Sequence, residues 1–532
     1  MLTAIWRGVW RNSYEEEQRL KLASIFSEHL MLQRDKEVYI FGETEKDEEI
    51  TVTIDDIAVT EKVSRGAFRI KLPAHKAGGP YTLKVQGVSE TLTVEDVLYG
   101  EVWLANGQSN IELELQGAKG GLDIIDSTDD DMIRYYNVPK AATMEECEKF
   151  EAEGPTWHLI RKGEFKDISA IGYYFANVIS KELGVPVGIV DCYRGGSSVT
   201  CWLKEEILHA MPEGNPYFES YDGACKDRTD EEYEAEIVDY DSRVAAWCER
   251  EAEVHKTDPE LVGHDLEMAI GNFPWPPPMG YKSAWRPCGI YYSMLERIIP
   301  FAFKGVLYYQ GEEDAPRYSL YANLLKALIK ELRDDFMDEG LPFVDLQLPM
   351  WIERTATENR EWGGLRQAQQ RAVDETENTY LTVLLDCGEV DNIHPVDKKT
   401  PGERLALNVL EWIYNSDKGD VQAEFDGAKA DGSSIILSFK NTCGELKTAD
   451  NELIDYRDEN PEGNPGHIYG FEIKTDGDEL AVPESRIEGD TIVLTSADGK
   501  PITYVQYGFF NYGKVNVYNA KNMPLAPFAV EI

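Results

Sequence analysis

Residues 100–112 read GEVWLANGQSNIE, and this stretch decides how the central part of the chain folds. An apolar run, EVWLA, stops at a small polar turn that contains Gly107 and Ser109. A continuous apolar run of this kind is typical of a strand that is buried on both faces of a parallel sheet. The turn itself has two interpretations. Strands often end in polar turns, or Ser109 is a nucleophile held at the edge of the sheet.

Further apolar strands follow this one, and longer helical segments separate them. The strands read PVGIVDCY, FKGVLYYQG, PFVDLQLP and TYLTVLLDCG, and the helical segments include ISAIGYYFANVISKEL and YANLLKALIKELRDDF. This alternation predicts an α/β domain over residues 97–419, with a parallel sheet that helices cover on both faces. Within it, residues from about 204 to 284 are interpreted as a helical, strongly acidic insertion that ends in NFPWPPPMG.

The two ends of the chain have a different pattern. Short alternating segments such as EEITVTI and YTLKVQG predict an N-terminal β domain over residues 1–96, similar to a sandwich. Alternation returns in SSIILSFKN and TIVLTS, and it predicts a C-terminal β domain over residues 420–532. A chain of 532 residues is also too long for one hydrophobic core, so about three domains are expected.

Composition limits the classes of function. With 42% hydrophobic residues the chain folds into globular domains, and its net charge of -44 disfavours nucleic acid and anionic membranes as partners. The chain contains no apolar run of the roughly 18 residues that a membrane span needs, and its N-terminus lacks the apolar segment of a signal peptide. The cysteines form no CxxC pair and no zinc-ligand pattern, so a reduced, cytoplasmic setting is expected. They lie at positions 147, 192, 201, 225, 248, 288, 387 and 443.

The turns that follow the predicted parallel strands hold the candidate functional residues. In a parallel α/β sheet the active site forms at the carboxyl ends of the strands. The turns there are NGQSN, YRGGSS, YQGEEDA and DCGEVDNIHPVDK. Their candidate residues are Ser109, Gly195, Gly196, Gln310, Glu312, Asp314, Asp391 and His394.

A serine hydroxyl needs a base that takes its proton, and that base needs an orienting group. His394 is the candidate base because it lies in a polar loop after a core strand and Asp391 precedes it by three residues. His209 has Glu206 at the same offset, but EEILH reads as a helix, and the pair reads as a solvated contact. Asp391 is therefore the predicted orienter of His394.

The developing oxyanion also needs hydrogen-bond donors. The candidates are the Ser109 N–H, a backbone N–H at Gly195 or Gly196, and the side-chain amide of Gln310. Each motif has an ordinary alternative, since a lone serine, a glycine pair and an acidic QGEED segment are all common in turns and helix starts. Only their joint position at the ends of strands in one sheet favours a catalytic interpretation.

The same motifs resemble those of the sialate O-acetylesterase family. DVLYGEVWLANGQSNIELEL resembles its GDVWLCSGQSNMEW, and GVPVGIVDCYRGGSSVTCW is similar to GVPVGLINSSWGGTPAEAW. FKGVLYYQGEEDA resembles IKGVIWYQGESNA, and DNIHPVDKKTPGERLAL resembles DIHPPNKQEVGERLAL. The two flanking β regions are also similar to those of the family, so the resemblance covers nearly the whole chain and is weakest in the insertion.

This resemblance implies a flavodoxin-like SGNH hydrolase core that removes acetyl groups from sugar hydroxyls without a metal or other cofactor. By position it implies Ser109 as nucleophile, His394 as base and Asp391 as its orienter. Gly195 or Gly196, with Gln310, would line the oxyanion hole. It leaves open which glycine does so. The candidate substrate-binding residues are Gln108, Arg194 and Glu312.

The chain departs from the family pattern near the predicted sugar site. Arg194 replaces a tryptophan, Glu313-Asp314 replaces Ser-Asn, and Ala105-Asn106 replaces Cys-Ser. Arg194 is the candidate that would bind the carboxylate of sialic acid, because arginine grips a carboxylate with two parallel hydrogen bonds. The alternative is that Arg194 pairs with an acid of the protein such as Asp191 or Glu312.

Several alternatives remain at this stage. Within esterases, the alternative substrate is a neutral acetylated xylan or mannan oligosaccharide, and either kind of sugar would stack on a tryptophan. The candidate tryptophans are Trp202, Trp275 and Trp362. A carbohydrate-binding protein without catalysis and a scaffold that acts through the acidic insertion are alternatives of other classes. The insertion is also a candidate lid or subunit contact, and an oligomer is compatible with the sequence.

Overall fold

The computed structural model describes residues 20–259, 261, 263–454, 463–464 and 466–532, with only the backbone at His264. The N-terminal strands alternate buried and exposed side chains, as antiparallel strands with one solvated face do. Strands β1, β3 and β6 form one sheet, while β4, β5 and β7 pair in another. The bounds are β1 Leu20–Leu22, β2 Met31–Gln33, β3 Val38–Thr44, β4 Glu48–Ile54, β5 Ile57–Val63, β6 Gly66–Leu72 and β7 Gly78–Gln86.

One long strand, β8 (Thr91–Gly107), joins the N-terminal strands to the central sheet. Its first half pairs antiparallel with β7, and its second half lies parallel to two central strands, β11 (Val187–Tyr193) and β12 (Gly305–Tyr309). The strand runs across the predicted boundary at residues 96 and 97. That boundary therefore stays a prediction, and the two regions share backbone hydrogen bonds.

The central sheet carries the apolar strands that the sequence predicts. Its order is β10-β9-β11-β8-β12-β13-β14, and every pair is parallel except β9 with β10. The α/β class with additional β regions is thus confirmed, within a mixed sheet, while the flavodoxin-like detail stays a prediction. The remaining bounds are β9 Asp130–Asn137, β10 His158–Ile160, β13 Phe343–Leu346 and β14 Thr379–Thr382.

Helices flank this sheet and bury apolar faces against it. The pairs α4 with α11 and α9 with α10 pack together. No helix within the described residues has the length and apolar character of a membrane span. The bounds outside the predicted insertion are α1 Ser109–Glu112, α2 Gly121–Ile125, α3 Met144–Glu153, α4 Ala170–Leu183, α9 Tyr318–Asp335, α10 Glu361–Asp374 and α11 Lys399–Trp412.

The residues predicted as an insertion form α5 Glu205–Ala210, α6 Asn215–Cys225, α7 Asp230–His255 and α8 Gly263–Ile270. Helix α7 begins with a capping box in which the Thr229 and Glu232 side chains each bond the other residue's backbone N–H. Its buried residues, Tyr233, Tyr240 and Trp247, recur every seventh position and so form one face. This face fixes the segment that follows α8 against the long helix.

The C-terminal region is β-rich and has its own apolar core. That core also includes Met350 and Ile352, which follow β13, so it continues onto the α/β region. The strands are β15 Glu424–Asp431, β16 Ser434–Lys440, β17 Leu446–Thr448, β18 Phe471–Lys474, β19 Glu484–Glu488, β20 Thr491–Thr495, β21 Tyr504–Tyr507, β22 Val517–Asn519 and β23 Phe528–Glu531.

Candidate active site

Ser109 lies immediately beyond the carboxyl end of the central strand β8, as the first residue of α1. The turn between them depends on Gly107, which has φ +135 and lies so close to β12 that a Cβ would stand 2.2 Å from the Tyr309 carbonyl oxygen. The Gln108 N–H then donates to the same carbonyl at 3.0 Å. The backbone therefore holds the Ser109 hydroxyl at a fixed place on the edge of the sheet.

His394 reaches this hydroxyl from the loop between β14 and α11. Its Nε2 lies 2.8 Å from the Ser109 Oγ, although the two residues are 285 positions apart in the chain. When Ser109 donates in this hydrogen bond, Nε2 is the unprotonated ring nitrogen. A serine hydroxyl hydrogen-bonded to an imidazole is the arrangement that nucleophilic acyl transfer requires.

The environment of His394 favours its neutral form. Burial and the nearby Lys398 ammonium lower the pKa of His394 to about 4. The His394 side chain is exposed to solvent, which weakens the effect of burial and of the Lys398 charge on its pKa. The imidazole is consequently able to accept a proton at neutral pH.

Asp391, the predicted orienter, forms no hydrogen bond or ion pair with His394 in the part of the chain that the structure describes. Its carboxylate accepts hydrogen bonds from the Arg354 backbone N–H and, at 2.9 Å, from the Arg354 Nε. Asp391 also has a left-handed φ of 64, and this turn carries its side chain towards Arg354 instead of the imidazole. In this structure Asp391 thus joins the loop that carries His394 to Arg354.

A buried network that the sequence analysis did not identify joins the two catalytic candidates. The Asn110 amide nitrogen donates to the Ile393 carbonyl at 3.0 Å and to the Glu312 carboxylate at 2.6 Å. The Lys398 ammonium donates to the Asn110 amide oxygen at 2.6 Å. Asn110 adjoins Ser109, and Ile393 adjoins His394, so this network fixes one residue relative to the other. The sequence offers one indication of this network, since Asn110 lies in the NGQSN motif and Lys398 in the DCGEVDNIHPVDK motif.

Glu312 and Gln108, two of the candidate substrate-binding residues, are buried within the protein. Burial raises the pKa of Glu312, and one of its carboxylate oxygens has no hydrogen-bond partner among the described residues. The Gln108 side-chain oxygen accepts from the Gln310 amide at 3.0 Å and from the Gly311 N–H at 3.3 Å. Both side chains therefore shape the turns around Ser109, and neither is open to a substrate.

Two of the predicted oxyanion donors are already engaged. The Gln310 amide nitrogen donates to Gln108 at 3.0 Å, to the Ser197 carbonyl at 3.1 Å and to Asp314 at 2.7 Å. The Gly195 N–H donates to the Glu112 carboxylate. Because both groups already have acceptors within the protein, neither is free to bind an oxyanion in this conformation.

The backbone around the glycine pair nevertheless lies against the nucleophile. A Cβ at Gly195 would be 3.5 Å from the Ser109 Cβ. Gly196 follows with φ +69, and its N–H has no acceptor among the residues that the structure describes. The Ser109 N–H, at the start of α1, likewise has no acceptor there. These two N–H groups are the available donors for a developing oxyanion.

Arg194 differs from the other candidate binding residues because it is only half-buried. Its guanidinium lies 5.0 Å from the centre of the Trp285 ring and donates weakly to the Lys140 carbonyl at 3.4 Å. Neither Asp191 nor Glu312 forms an ion pair with it among the described residues. The alternative that Arg194 pairs with one of these acids is therefore not observed, and its charge is available to an anionic ligand.

The three candidate stacking tryptophans differ in exposure. Trp202 is fully buried and Trp362 is 5% exposed, so both belong to the core, whereas Trp275 is 47% exposed. Among the described residues, one group has carboxylate and imidazole atoms close enough to hold a metal ion. It consists of Asp55, Asp56 and His75 in the N-terminal region, and none of the strand ends of the central sheet contributes to it.

Comparison with known proteins finds carbohydrate esterases. A family model described as carbohydrate esterase, sialic acid-specific acetylesterase, matches residues 280–410. The chain is 24% identical to a sialate O-acetylesterase of Rattus norvegicus over 96% of its length and 94% of that protein. It is 23% identical to the corresponding Homo sapiens protein over 70% of its length and 65% of that protein.

A solved structure has a similar fold over nearly the whole length of both chains. It is a carbohydrate acetylesterase from Xanthomonas citri, with a TM-score of 0.73 and 25% sequence identity. The similarity covers 96% of this chain and 99% of the other. The sequence resemblance and the similarity of fold therefore identify the same group of esterases.

Proposed function

We propose that this chain, a carboxylic ester hydrolase related to the sialate O-acetylesterases, removes O-acetyl groups from sialic acids through Ser109 and His394. The observation that carries this proposal is the 2.8 Å contact between the Ser109 hydroxyl and the His394 imidazole at the end of a parallel strand. Carbohydrate O-deacetylation is the activity that the relatives have in common, and the serine mechanism and the sugar are our inference.

The reaction proceeds by acyl transfer in two steps. His394 Nε2 takes the proton of Ser109 as Oγ attacks the acetyl carbonyl, and the carbonyl electron pair moves onto oxygen. The tetrahedral intermediate collapses to an acetyl-serine, and His394 protonates the departing sugar oxygen. Water, deprotonated by His394, then attacks the acetyl-serine. The bond between the acetyl carbon and Ser109 Oγ breaks, His394 returns the proton to Oγ, and acetate leaves.

The free backbone donors determine how the oxyanion is held. The Ser109 N–H and the Gly196 N–H are the donors to which we assign this role, since Gly195 is engaged by Glu112. Loss of one such donor commonly lowers the rate about 10²–10³-fold. The Gln310 amide contributes indirectly by holding Gln108 under the turn.

Asp391 has an indirect role in this mechanism. Through its hydrogen bonds to Arg354 it holds the loop that presents His394, and the Asn110 network holds the same loop from the other side. We therefore assign Asp391 a positioning role. A direct hydrogen bond from the imidazole to Asp391 stays a prediction from the sequence.

The charge of Arg194 favours an acidic sugar as the substrate. Its guanidinium has no carboxylate partner among the described residues, in a protein whose net charge is -44. An arginine without a carboxylate partner, next to the glycine turn that borders Ser109, is suited to bind the carboxylate of sialic acid. A neutral acetylated xylan or mannan oligosaccharide is the alternative substrate, and it would leave this charge unused.

Acetate release from a panel of sugars tests the proposal. O-acetylated N-acetylneuraminic acid is expected to be hydrolysed fastest, ahead of acetylated xylo- and manno-oligosaccharides, and Ser109→Ala is expected to hydrolyse none. Faster release from the neutral sugars would favour the alternative substrate. Binding of these sugars without any acetate release would indicate a carbohydrate-binding protein in place of an enzyme.

A further inference from the structure

Trp275 is a large exposed aromatic side chain that packs on the glycine turn next to Ser109. It lies in the segment after α8, and 47% of its surface is open to solvent. Its ring covers Gly196 so closely that a Cβ there would stand 2.1 Å from the ring edge. Gly196 directly follows Gly195, where an added Cβ would be 3.5 Å from the Ser109 Cβ.

A second tryptophan supports this ring. Trp285 meets Trp275 edge to face, with ring centres 5.7 Å apart, and its indole N–H donates to the Gly195 carbonyl at 2.7 Å. The Arg194 guanidinium lies on the Trp285 ring at 5.0 Å. Two indoles and one cation are thus attached to the glycine turn that borders Ser109.

The inserted helices approach the catalytic pair from both sides. On the side of the glycine turn, Trp275 covers Gly196. On the side of the base, a Cβ at Gly263 would be 2.8 Å from the Asn392 side chain, two residues before His394. On α6, the Tyr217 hydroxyl donates to Asp314 at 2.5 Å, in the turn after β12. The insertion therefore contacts the turns and the loop that surround Ser109 and His394.

The segment that carries Trp275 is fixed in place by helix α7. The Trp247 indole N–H donates to the Gly271 carbonyl at 2.7 Å, and its ring meets Phe273 edge to face at 5.2 Å. Further along, the Arg228 guanidinium donates to the Met279 carbonyl. These contacts hold the segment on both sides of Trp275, so the exposed ring is preorganised.

We infer that the insertion supplies a sugar-stacking subsite in which the exposed Trp275 ring binds the pyranose ring that presents its acetyl group to Ser109. A pyranose offers an apolar face of C–H groups, and an exposed aromatic ring binds such a face by stacking and by excluding water. This inference rests on the proposed function, because the subsite would bind the sugar whose acetyl group Ser109 attacks. The family model begins at residue 280, so Trp275 lies outside the residues that it matches.

Three variants test this inference. Trp275→Ala removes the stacking ring, Trp275→Phe retains an aromatic ring, and Val238→Ala changes an exposed apolar residue elsewhere on the same insertion. Each is assayed for kcat/KM on O-acetylated N-acetylneuraminic acid, on acetylated xylotetraose and on 4-nitrophenyl acetate, which carries no sugar. Trp275→Ala is expected to lower kcat/KM on the sugar acetates about tenfold and to leave the aryl acetate unchanged. Trp275→Phe is expected to retain most of the activity, and Val238→Ala all of it.

Two outcomes would overturn the inference. If Trp275→Ala keeps full activity on both sugar acetates, the ring does not bind the sugar. If the variant loses sugar and aryl acetate activity to the same extent, Trp275 only supports the fold of the site.

A binding measurement separates the subsite from the proposed reaction. Ser109→Ala is titrated by calorimetry with O-acetylated N-acetylneuraminic acid and acetylated xylotetraose, with and without Trp275→Ala. Weaker binding in the double variant supports the subsite even if the wild-type protein releases no acetate, an outcome that would refute the proposed function alone. Equal affinity of the two proteins would overturn the subsite.

Discussion

The two segments that meet at the catalytic pair are held in different ways. The nucleophile's turn is embedded in the protein, and Asn106, Gln108 and Asn110 on either side of Ser109 are almost fully buried. The segment that carries the base lies near the surface, with His394 exposed and Asp391 half-buried. The position of Ser109 follows from strand pairing, whereas that of His394 depends on a few side-chain contacts.

This difference shows where the site is vulnerable. The turn at Ser109 has backbone hydrogen bonds on both sides, so a single side-chain substitution there leaves its geometry in place. The loop at His394 is joined to it through Asn110, and to Arg354 through Asp391. Substitutions in these contacts are expected to change catalysis through the position of the base.

The largest loss of activity is expected from a substitution of Ser109 in the buried turn. Ser109→Ala removes the nucleophile and is expected to lower kcat on acetylated sugars by about 10⁴-fold or more, with the free energy of unfolding unchanged. Acetate release and denaturant unfolding measure the two quantities. Ser127→Ala, at an exposed serine, is the matched control. Retained activity in Ser109→Ala would refute the assignment of the nucleophile.

The second largest loss of activity is expected at Asn110, which joins the Ser109 turn to the His394 loop. Asn110→Ala leaves the Lys398 ammonium and the Ile393 carbonyl without their partner, which lowers the free energy of unfolding by about 2 kcal/mol. Because the base loses its tether, kcat is expected to fall roughly 10–100-fold. Asn408→Ala, a buried asparagine that bonds the Asp420 carbonyl, is expected to lower stability alone. An Asn110→Ala protein with wild-type kcat would show that the tether does not position His394.

A smaller effect is expected at Asp391. Asp391→Asn keeps an oxygen that accepts from Arg354, so kcat is expected to fall less than tenfold, as in Arg354→Ala. A carboxylate bonded directly to the catalytic imidazole would cost about 10⁴-fold when it is changed to an amide. Steady-state kinetics of the two variants therefore distinguish a positioning role from a direct one, and a loss of 10³-fold or more would establish the direct role.

The smallest effect concerns pH. A general base must be neutral, and the pKa of His394 is lowered to about 4, so activity is expected to persist below pH 6 and to fall as pH approaches that value. Lys398→Met removes a nearby cation and therefore raises the pKa of His394. The acid limb of kcat/KM is expected to move to higher pH. Lys398→Met also removes the hydrogen bond to Asn110, so the position of the limb, and not the rate at pH 7, is the readout. Lys399→Met, at an exposed neighbour, is expected to leave the limb in place, and an unmoved limb in Lys398→Met would contradict the electrostatic account.

Much of this architecture could be predicted from local patterns. Apolar runs between helical segments identify the parallel strands, and the ends of those strands include both Ser109 and His394, which the structure places 2.8 Å apart. The extension of β8 into the N-terminal sheet was not predicted, because a strand that pairs differently along its length has no distinct sequence signal.

The partners of individual side chains could not be predicted in the same way. Asp391 binds Arg354 and the Gln310 amide binds Ser197, and each pair brings together segments that the sequence analysis did not associate. The exposed position of Trp275 likewise depends on how α7 holds its segment. Sequence spacing indicates which loops meet, while side-chain direction depends on the packing around them.

The central claim is that His394 activates the Ser109 hydroxyl. A fluorophosphonate, which reacts covalently with activated serine hydroxyls, tests it directly when the labelled protein is digested and its peptides are identified by mass spectrometry. We expect one phosphonyl adduct, on Ser109, formed at neutral pH by the wild-type protein and hundreds of times more slowly by His394→Ala. An adduct on another residue, or equal labelling rates in the two proteins, would contradict the account.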